Sequence, residues 1–269
     1  MSSALSLPDL ELLRARLREL APLVVAFSGG ADSAFLAWMA HDTLGRDGAL
    51  AATAVSPSLP ASERIGCGEL ADTWGLRWVE VVTDELNNPS YARNDGDRCY
   101  WCKDALLAAL GPLAALDGAT VCLGVNVDDL ADHRPGQRAA LERGAAFPLV
   151  DAGFSKAHVR AWSKELGLPT WDKPAAACLA SRLPYGTPVT LGRLSAVERA
   201  EAALRALGFA ELRVRHHDDV ARIEVPELDL DAVLAKRGDV VEAVRAAGYR
   251  WVTLDLDGLR SGGFNQVLD

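Results

Sequence analysis

Val24-Val25-Ala26-Phe27-Ser28-Gly29-Gly30-Ala31-Asp32-Ser33 is the stretch from which the fold class follows. Apolar residues rich in β-formers run straight into Ser-Gly-Gly-x-Asp-Ser, and an apolar, helix-like stretch from Ala34 to Leu44 comes next. The order reads as a buried parallel strand, a tight turn and a helix N-terminus. Glycines let the backbone approach an anion closely. N–H groups and the helix dipole then stabilise its charge. Ser28 and Ser33 add hydroxyl donors, whereas Asp32 would repel a bare phosphate. A Mg²⁺ between carboxylate and phosphate accounts for Asp32. The bland alternative is a Gly-Ser turn with an ordinary helix cap, and the flanking strand and helix weigh against it.

Working outward, Leu10 to Leu20 has apolar residues at helical spacing and is ended by Pro22. Ala49 to Val55 reads as a second strand, closed by the turn-rich Ser56-Pro57-Ser58-Leu59-Pro60. Glu63 to Trp74 reads as a helix and Arg77 to Val82 as a third strand. Asn87 to Asp97 is polar and turn-forming, a helix then opens and runs towards Leu116, and Ala119 to Gly124 is a fourth strand. Alternation of this kind predicts βαβ units and a parallel sheet. Ligands of such sheets sit at the carboxyl ends of strands. Ser28 to Ser33, Ser56 to Leu59, and Gly124-Val125-Asn126-Val127-Asp128-Asp129 all fall at strand ends. The second is expected to meet an adenine ring. The third is expected to add nucleotide contacts, with Asp129 sharing the metal, or else to be a plain polar turn.

Arg134-Pro135-Gly136 leads into an Ala-rich helix through Gly144, and Lys156 to Leu166 is helical again. From Pro169 to Pro188 no periodicity is clear. Such a segment inside a compact chain is usually functional or disordered, and its Leu, Cys, Tyr and Trp argue against disorder. Beyond it the texture is that of a small α+β unit. Leu194 to Leu207 is a helix, and Arg213 to His217 pairs with Arg222 to Val225 across a turn at Asp218-Asp219. Leu228 to Arg237 and Val240 to Ala247 are helices, and Trp251 to Asp255 is a strand. The expected organisation is a nucleotide domain over 1–168, a junction over 169–190 and a second domain over 191–269.

The 269 residues carry a net charge of −9. That balance argues against a mainly electrostatic grip on nucleic acid. No run approaches the roughly 18 apolar residues of a membrane span. Met1 to Pro8 has no apolar signal core, and five cysteines at irregular spacing make a poor disulfide framework. The expected compartment is the cytoplasm.

Two cysteine contexts stand out. Asp97-Arg98-Cys99-Tyr100-Trp101-Cys102-Lys103 holds a CxxC without a second ligand pair for zinc and without a thioredoxin-like context. A phosphate or substrate surface built on Arg98 and Lys103 and plain packing both stay open. Cys178 sits in the irregular segment beside Ser181 and Arg182. A neighbouring guanidinium favours the thiolate, although a small buried cysteine is also common. With a phosphate-binding loop elsewhere in the chain, a sulfur nucleophile suggests one logic. A nucleoside phosphate activates a carboxylate or carbonyl, and the thiolate displaces the activating group.

The loop lacks the lysine of a Walker motif and resembles the SGGxDS loop of the PP-loop ATP pyrophosphatases. The whole chain resembles the LarE family of ATP-dependent sacrificial sulfur transferases. Ser28 to Ser33, Arg98 to Lys103, Gly124 to Asp129, Asp132-His133-Arg134-Pro135-Gly136 and Asp172-Lys173-Pro174 carry that likeness. So do Cys178-Leu179-Ala180-Ser181-Arg182-Leu183-Pro184-Tyr185-Gly186, Arg213 to His216, Ala221 to Glu224 and Asp255 to Gly262. The Cys178 stretch is the most specific of these. The resemblance implies a parallel-sheet α/β domain of the adenine nucleotide alpha hydrolase type with a smaller C-terminal α+β domain. It implies ATP bound by Ala26, Ser28, Gly29, Gly30, Asp32, Ser33, Ser56, Gly124, Asn126 and Asp129, with Mg²⁺ at Asp32. The implied substrate is pyridinium-3,5-dicarboxylate mononucleotide, on the way to a nickel-pincer nucleotide. Arg98, Lys103, Ser181, Arg182, Arg213 and Arg215 are its expected contacts, the last two as a phosphate clamp.

In that family's chemistry ATP adenylylates a ring carboxylate, the cysteine at the Cys178 position displaces AMP, and its Cβ–S bond breaks. A thiocarboxylate and a dehydroalanine result. Some relatives use extra cysteines and an iron–sulfur cluster, whereas between Pro169 and Pro188 this chain has Cys178 alone. Glu201 and Glu224 are expected near a second cation, and a homo-oligomer, as a hexamer, is implied. The alternatives are another PP-loop reaction, amide formation or tRNA thiolation, and a non-catalytic nucleotide-binding module.

Overall fold

A computed structural model describes residues 7–131, 135–174 and 177–260. Asp132, His133 and Arg134, Ala175 and Ala176, residues 1–6 and the Gly-rich end from Ser261 lie outside the described residues. The described chain forms two compact units. One holds residues up to Glu85 and those from Cys99 to Pro174, and the other holds residues 86–98 and 177–260. The stretch 86–98, read from sequence as a turn-rich part of the nucleotide domain, thus groups with the second unit.

The first unit alternates as expected: α1 (Leu10–Leu20), β1 (Leu23–Ala26), α2 (Ala31–Gly48), β2 (Ala49–Val55), α3 (Ala61–Trp74) and β3 (Arg77–Val82). After α4 (Pro89–Ala92), a four-residue helix of the second unit, the first unit resumes with α5 (Arg98–Asp117), β4 (Thr120–Leu123), α6 (Pro135–Glu142), α7 (Pro148–Asp151) and α8 (Lys156–Glu165). The sheet is parallel throughout, in the order β3-β2-β1-β4. Val24 lies between Leu50 and Val121, and Ala26 between Ala52 and Leu123. Successive side chains of a strand point to opposite faces. Leu23, Val25 and Phe27 therefore meet Leu13, Phe35, Met39 and Phe154 on one side. Val24 joins Leu50, Ala52, Leu110 and Ala114 on the other. Cover on both faces is why β1 and β2 read as unbroken apolar runs rather than alternating ones.

The chain steps from β1 outward to β2 and β3, then returns to the opposite side of β1 for β4. That reversal opens a crevice beyond the carboxyl ends of β1 and β4, where ligands of open α/β sheets bind. The helix after β1 begins at Ala31, three residues before the apolar stretch, because Gly30 is its N-cap. Asp32 and Ser33 thereby join its first turn.

The second unit contains α9 (Leu191–Ala206), β5 (Arg213–His217), β6 (Val220–Glu224), α10 (Leu230–Ala235), α11 (Arg237–Ala246) and β7 (Trp251–Leu254). β5 and β6 pair antiparallel across Asp218-Asp219, and Asp218 takes the left-handed φ of 51° that such a tight hairpin needs. β7 adds parallel to β6. Val214 and Ile223 pack under Leu204 and Val244. The helices after Pro226 divide at Lys236 rather than between Arg237 and Val240. Among the described residues of the expected irregular segment, the helical element is a 3₁₀ turn, Leu179–Arg182. Among the described residues no helix is long and apolar enough to cross a membrane.

Candidate functional site

The turn after β1 is built from the residues that its sequence marked. Gly29 takes a left-handed φ of 68°, and a Cβ there would come 3.0 Å from the Cys67 sulfur, so glycine is required twice over. The Ser28 N–H donates to Ser33 Oγ at 3.2 Å, the two serine hydroxyls share a bond of 3.0 Å, and Ser33 Oγ donates to the Gly30 carbonyl at 3.2 Å. Gly30 offers no side-chain acceptor to the first turn of α2. Uncapped first-turn N–H groups are what an anion satisfies.

Gly124 closes the crevice from the β4 side. A Cβ on it would lie 2.8 Å from Ser33 N and 2.9 Å from the Asp32 carbonyl carbon, so only glycine lets the strand end approach the helix start. Gly124→Ala should therefore lower unfolding free energy by about 1–3 kcal/mol. Gly111→Ala, in α5 with open space around it, should be neutral or stabilising by roughly 0.5–1 kcal/mol. Urea denaturation midpoints compare the two.

Asn126 and Asp129 follow β4. Asn126 is fully buried, and its amide donates to Asp32 Oδ1 at 3.2 Å. The Asn126 N–H donates to Asp129 Oδ2 at 3.1 Å. Burial pushes the Asp32 carboxyl above its ordinary value. The positive charge of Lys156 opposes that rise, the charge of Asp129 adds to it, and the Asn126 bond and Arg160 oppose it again. A divalent cation relieves both causes of the rise. Mg²⁺ commonly takes one or two protein carboxylates and completes its shell with phosphate oxygens and water. Asp32 and Asp129 fit that pattern. Among the described residues no three His, Cys, Asp or Glu form a metal cage. Ser56 lies just beyond β2, the neighbour of β1, and Lys103 lies in α5.

The second unit holds the cysteine segment. Cys178 is half-buried and precedes the 3₁₀ turn. Its carbonyl accepts from the Ser181 N–H at 3.0 Å and the Ser181 hydroxyl at 2.7 Å. Arg182 Nη1 donates to the Ala177 carbonyl at 2.8 Å and the Cys178 carbonyl at 3.3 Å. The other side of that guanidinium grips Glu201 at 2.8 and 3.2 Å. Arg98 donates to the Ala180 carbonyl at 2.9 Å, and Arg215 to the Ser181 carbonyl at 2.9 Å. Asn94, buried and at φ 60°, donates to the carbonyls of Pro184 and Thr187 at 2.8 and 2.9 Å. The carbonyls on either side of the half-buried Cys178 are thus held by Arg98, Arg182, Arg215 and Asn94.

This geometry revises several expectations. Glu201 is fully buried and accepts from Arg182, Arg205 and the Val214 N–H. Glu224 accepts from Arg215 and Arg222. Both carboxylates expected near a second cation thus sit in buried ion pairs with arginines. Arg98, Arg182 and Arg215 are buried and committed to carbonyls and carboxylates rather than presented to a ligand. Arg213, on the same strand face as Arg215, is half-buried and donates to the Arg260 carbonyl at 3.1 Å. Burial, then the charges of Arg182 and Arg215, hold its pKa below the ordinary guanidinium value. An anion there relieves that repulsion.

Lys156 and Arg160 were given no role from sequence, and Lys173 only a place in the Asp172-Lys173-Pro174 likeness, yet the charges of the first two act on Asp32 and the Lys173 ammonium meets the Gly29 carbonyl. The first two stand four apart on α8 and both act on Asp32. That spacing is the sole sequence signal they share. Cys99 is exposed and Cys102 half-buried in the first turn of α5, and Cys178 belongs to the other unit.

No protein-family model matches the chain. It is 45% identical over 262 residues to an uncharacterised protein of Synechocystis sp., covering 96% of this chain and 97% of that protein. It is 40% identical over 257 residues to the pyridinium-3,5-bisthiocarboxylic acid mononucleotide synthase of Lactiplantibacillus plantarum, covering 95% and 93%. An uncharacterised protein of Methanocaldococcus jannaschii is 25% identical over 240 residues, covering 89% and 91%.

Proposed function

The chain belongs to the LarE family, and from that premise we propose that it is an ATP-dependent sulfur transferase that makes pyridinium-3,5-bisthiocarboxylic acid mononucleotide. The observation that carries this reading is the 40% identity, over 95% of the chain, to a synthase of that product. The corresponding dicarboxylate is the substrate in this reading, and the product serves a nickel-pincer nucleotide.

The loop geometry supports ATP as the activating reagent. In the proposed reaction a ring carboxylate attacks the α-phosphorus and pyrophosphate leaves, giving an acyl adenylate. The Ser28 and Ser33 hydroxyls and the first-turn N–H groups of α2 hold the departing phosphates. Asp32 and Asp129 would hold a Mg²⁺, which would supply neutralising charge for those phosphates. The Cys178 thiolate then attacks the acyl carbon and AMP leaves. Loss of the Cys178 α-proton expels the sulfur with the product, leaving a thiocarboxylate and a dehydroalanine. Each chain supplies one sulfur, so two chains are consumed for each bisthiocarboxylate. In this reading Arg213 binds the substrate phosphate, whose charge would relieve the repulsion between Arg213 and Arg182 and Arg215.

The experiment mixes stoichiometric protein with ATP, Mg²⁺ and the dicarboxylated mononucleotide, and follows product and intact-protein mass together. The protein is expected to turn over once and to lose the mass of H₂S from the Cys178 peptide. Repeated turnover at unchanged protein mass, without added sulfide or thiol, would overturn the sacrificial route. Asp32→Asn removes one carboxylate charge and is expected to slow pyrophosphate release by about 10²-fold or more. Unchanged release by the folded variant removes Asp32 from that role.

A further inference from the structure

Two carbonyls of the nucleotide loop are held from behind. Phe27 O accepts from Thr53 Oγ1 at 2.7 Å, and Thr53 is fixed in turn by Trp78 Nε1 at 2.9 Å. Gly29 O accepts from Lys173 Nζ at 3.1 Å, and the same ammonium pairs with Glu63 Oε2 at 2.8 Å. Lys173 is itself anchored. Its N–H donates to the Thr170 carbonyl at 3.2 Å, and its own carbonyl accepts from Arg160 at 3.2 Å.

The Gly29–Gly30 peptide needs such a restraint more than its neighbours do. A peptide between two glycines rotates as a unit at little steric cost. A trans peptide is planar, so its C=O and N–H point in opposite directions. Pinning the Gly29 oxygen towards Lys173 therefore turns the Gly30 N–H to the opposite side.

We propose that Lys173 is a positioning residue, which sets the Gly30 N–H for phosphate by holding the Gly29 carbonyl and is itself held by Glu63. It acts through the peptide rather than by touching the nucleotide. The proposal rests on the nucleotide reading of the loop, and its test has one arm that does not.

That arm is the ¹⁵N–¹H signal of Gly30 in nucleotide-free protein. Lys173→Met is expected to broaden or shift it while the melting temperature stays within a few degrees, since the Lys173–Glu63 pair is partly exposed. Lys173→Arg, which keeps a cationic donor, is expected to restore it. The second arm is ATP. Lys173→Met should raise the ATP concentration for half-maximal single-turnover pyrophosphate release about tenfold, the worth of one charge-assisted bond, with the rate at saturating ATP changed less. Glu63→Gln separates positioning from direct contact. It should weaken ATP binding if Lys173 positions the peptide, and strengthen binding if the freed ammonium meets phosphate. An unmoved Gly30 signal in Lys173→Met, or tighter ATP binding by Glu63→Gln, overturns the proposal. If the wild-type protein binds no ATP, the nucleotide reading falls, and the pinning is then judged on the Gly30 signal alone.

Discussion

Cys178→Ser is expected to keep ATP-dependent pyrophosphate release and to transfer no sulfur at all. In the proposed reaction activation needs the Ser28–Ser33 loop, which belongs to the unit that does not hold Cys178. The backbone around Cys178 is fixed by carbonyl bonds from Arg182 and Ser181 and does not depend on its side chain. Serine fits the same space. Its hydroxyl is a poor nucleophile without an adjacent base, and it carries no sulfur to give. The variant should therefore stall after activation, with pyrophosphate formed, no thiocarboxylate and unchanged protein mass. Cys99→Ala and Cys102→Ala should behave as wild type. Loss of sulfur transfer in those two variants alone would move the chemistry to the CxxC pair.

The second large effect falls on stability. Glu201→Ala leaves the Arg182 guanidinium buried without its carboxylate, removes the partner of Arg205 and strips the Val214 N–H of its acceptor. Arg182 is 5% exposed and Glu201 0%, so water cannot replace the lost charge. Breaking one side of such a buried pair costs about 3–5 kcal/mol. Arg182 also braces the carbonyls of Ala177 and Cys178. Sulfur transfer should consequently fall even at temperatures where the variant is folded, while pyrophosphate release persists. Glu242→Ala, at an exposed position of α11, is the control and should stay within about 0.5 kcal/mol of wild type. Chemical denaturation of the three proteins reads the difference. A Glu201→Ala loss no larger than that of Glu242→Ala would mean that the buried ion pair does not hold the cysteine segment.

Much of the fold was legible because its signals are local. An apolar run such as Ala49 to Val55 cannot stay exposed, and its boundaries were read to the residue. Gly29 and Gly30 announced a tight turn with close backbone approach at the end of β1, and Gly29 takes the left-handed φ of 68° there. The likeness of the Cys178 stretch to LarE proteins reached the same family as the identity to the synthase. Helix ends were less legible. Gly30 starts α2 before its apolar residues begin, because a cap is set by backbone geometry rather than by hydrophobic spacing.

By itself, then, the sequence determined the parallel α/β sheet, the glycine turn at its carboxyl edge and the cysteine in an irregular segment. Tertiary structure decided which charges are available. Glu201 and Glu224 look like surface acids in one dimension, and Arg98, Arg182 and Arg215 look like anion clamps. In the fold each is buried and already paired or bonded to a carbonyl. Lys173 looks like one more charge before a proline, yet it reaches back 144 residues to the Gly29 carbonyl. Local pattern cannot report such pairings. A charge in a protein is defined by its desolvation and its partners, and chain folding brings those partners from distant positions.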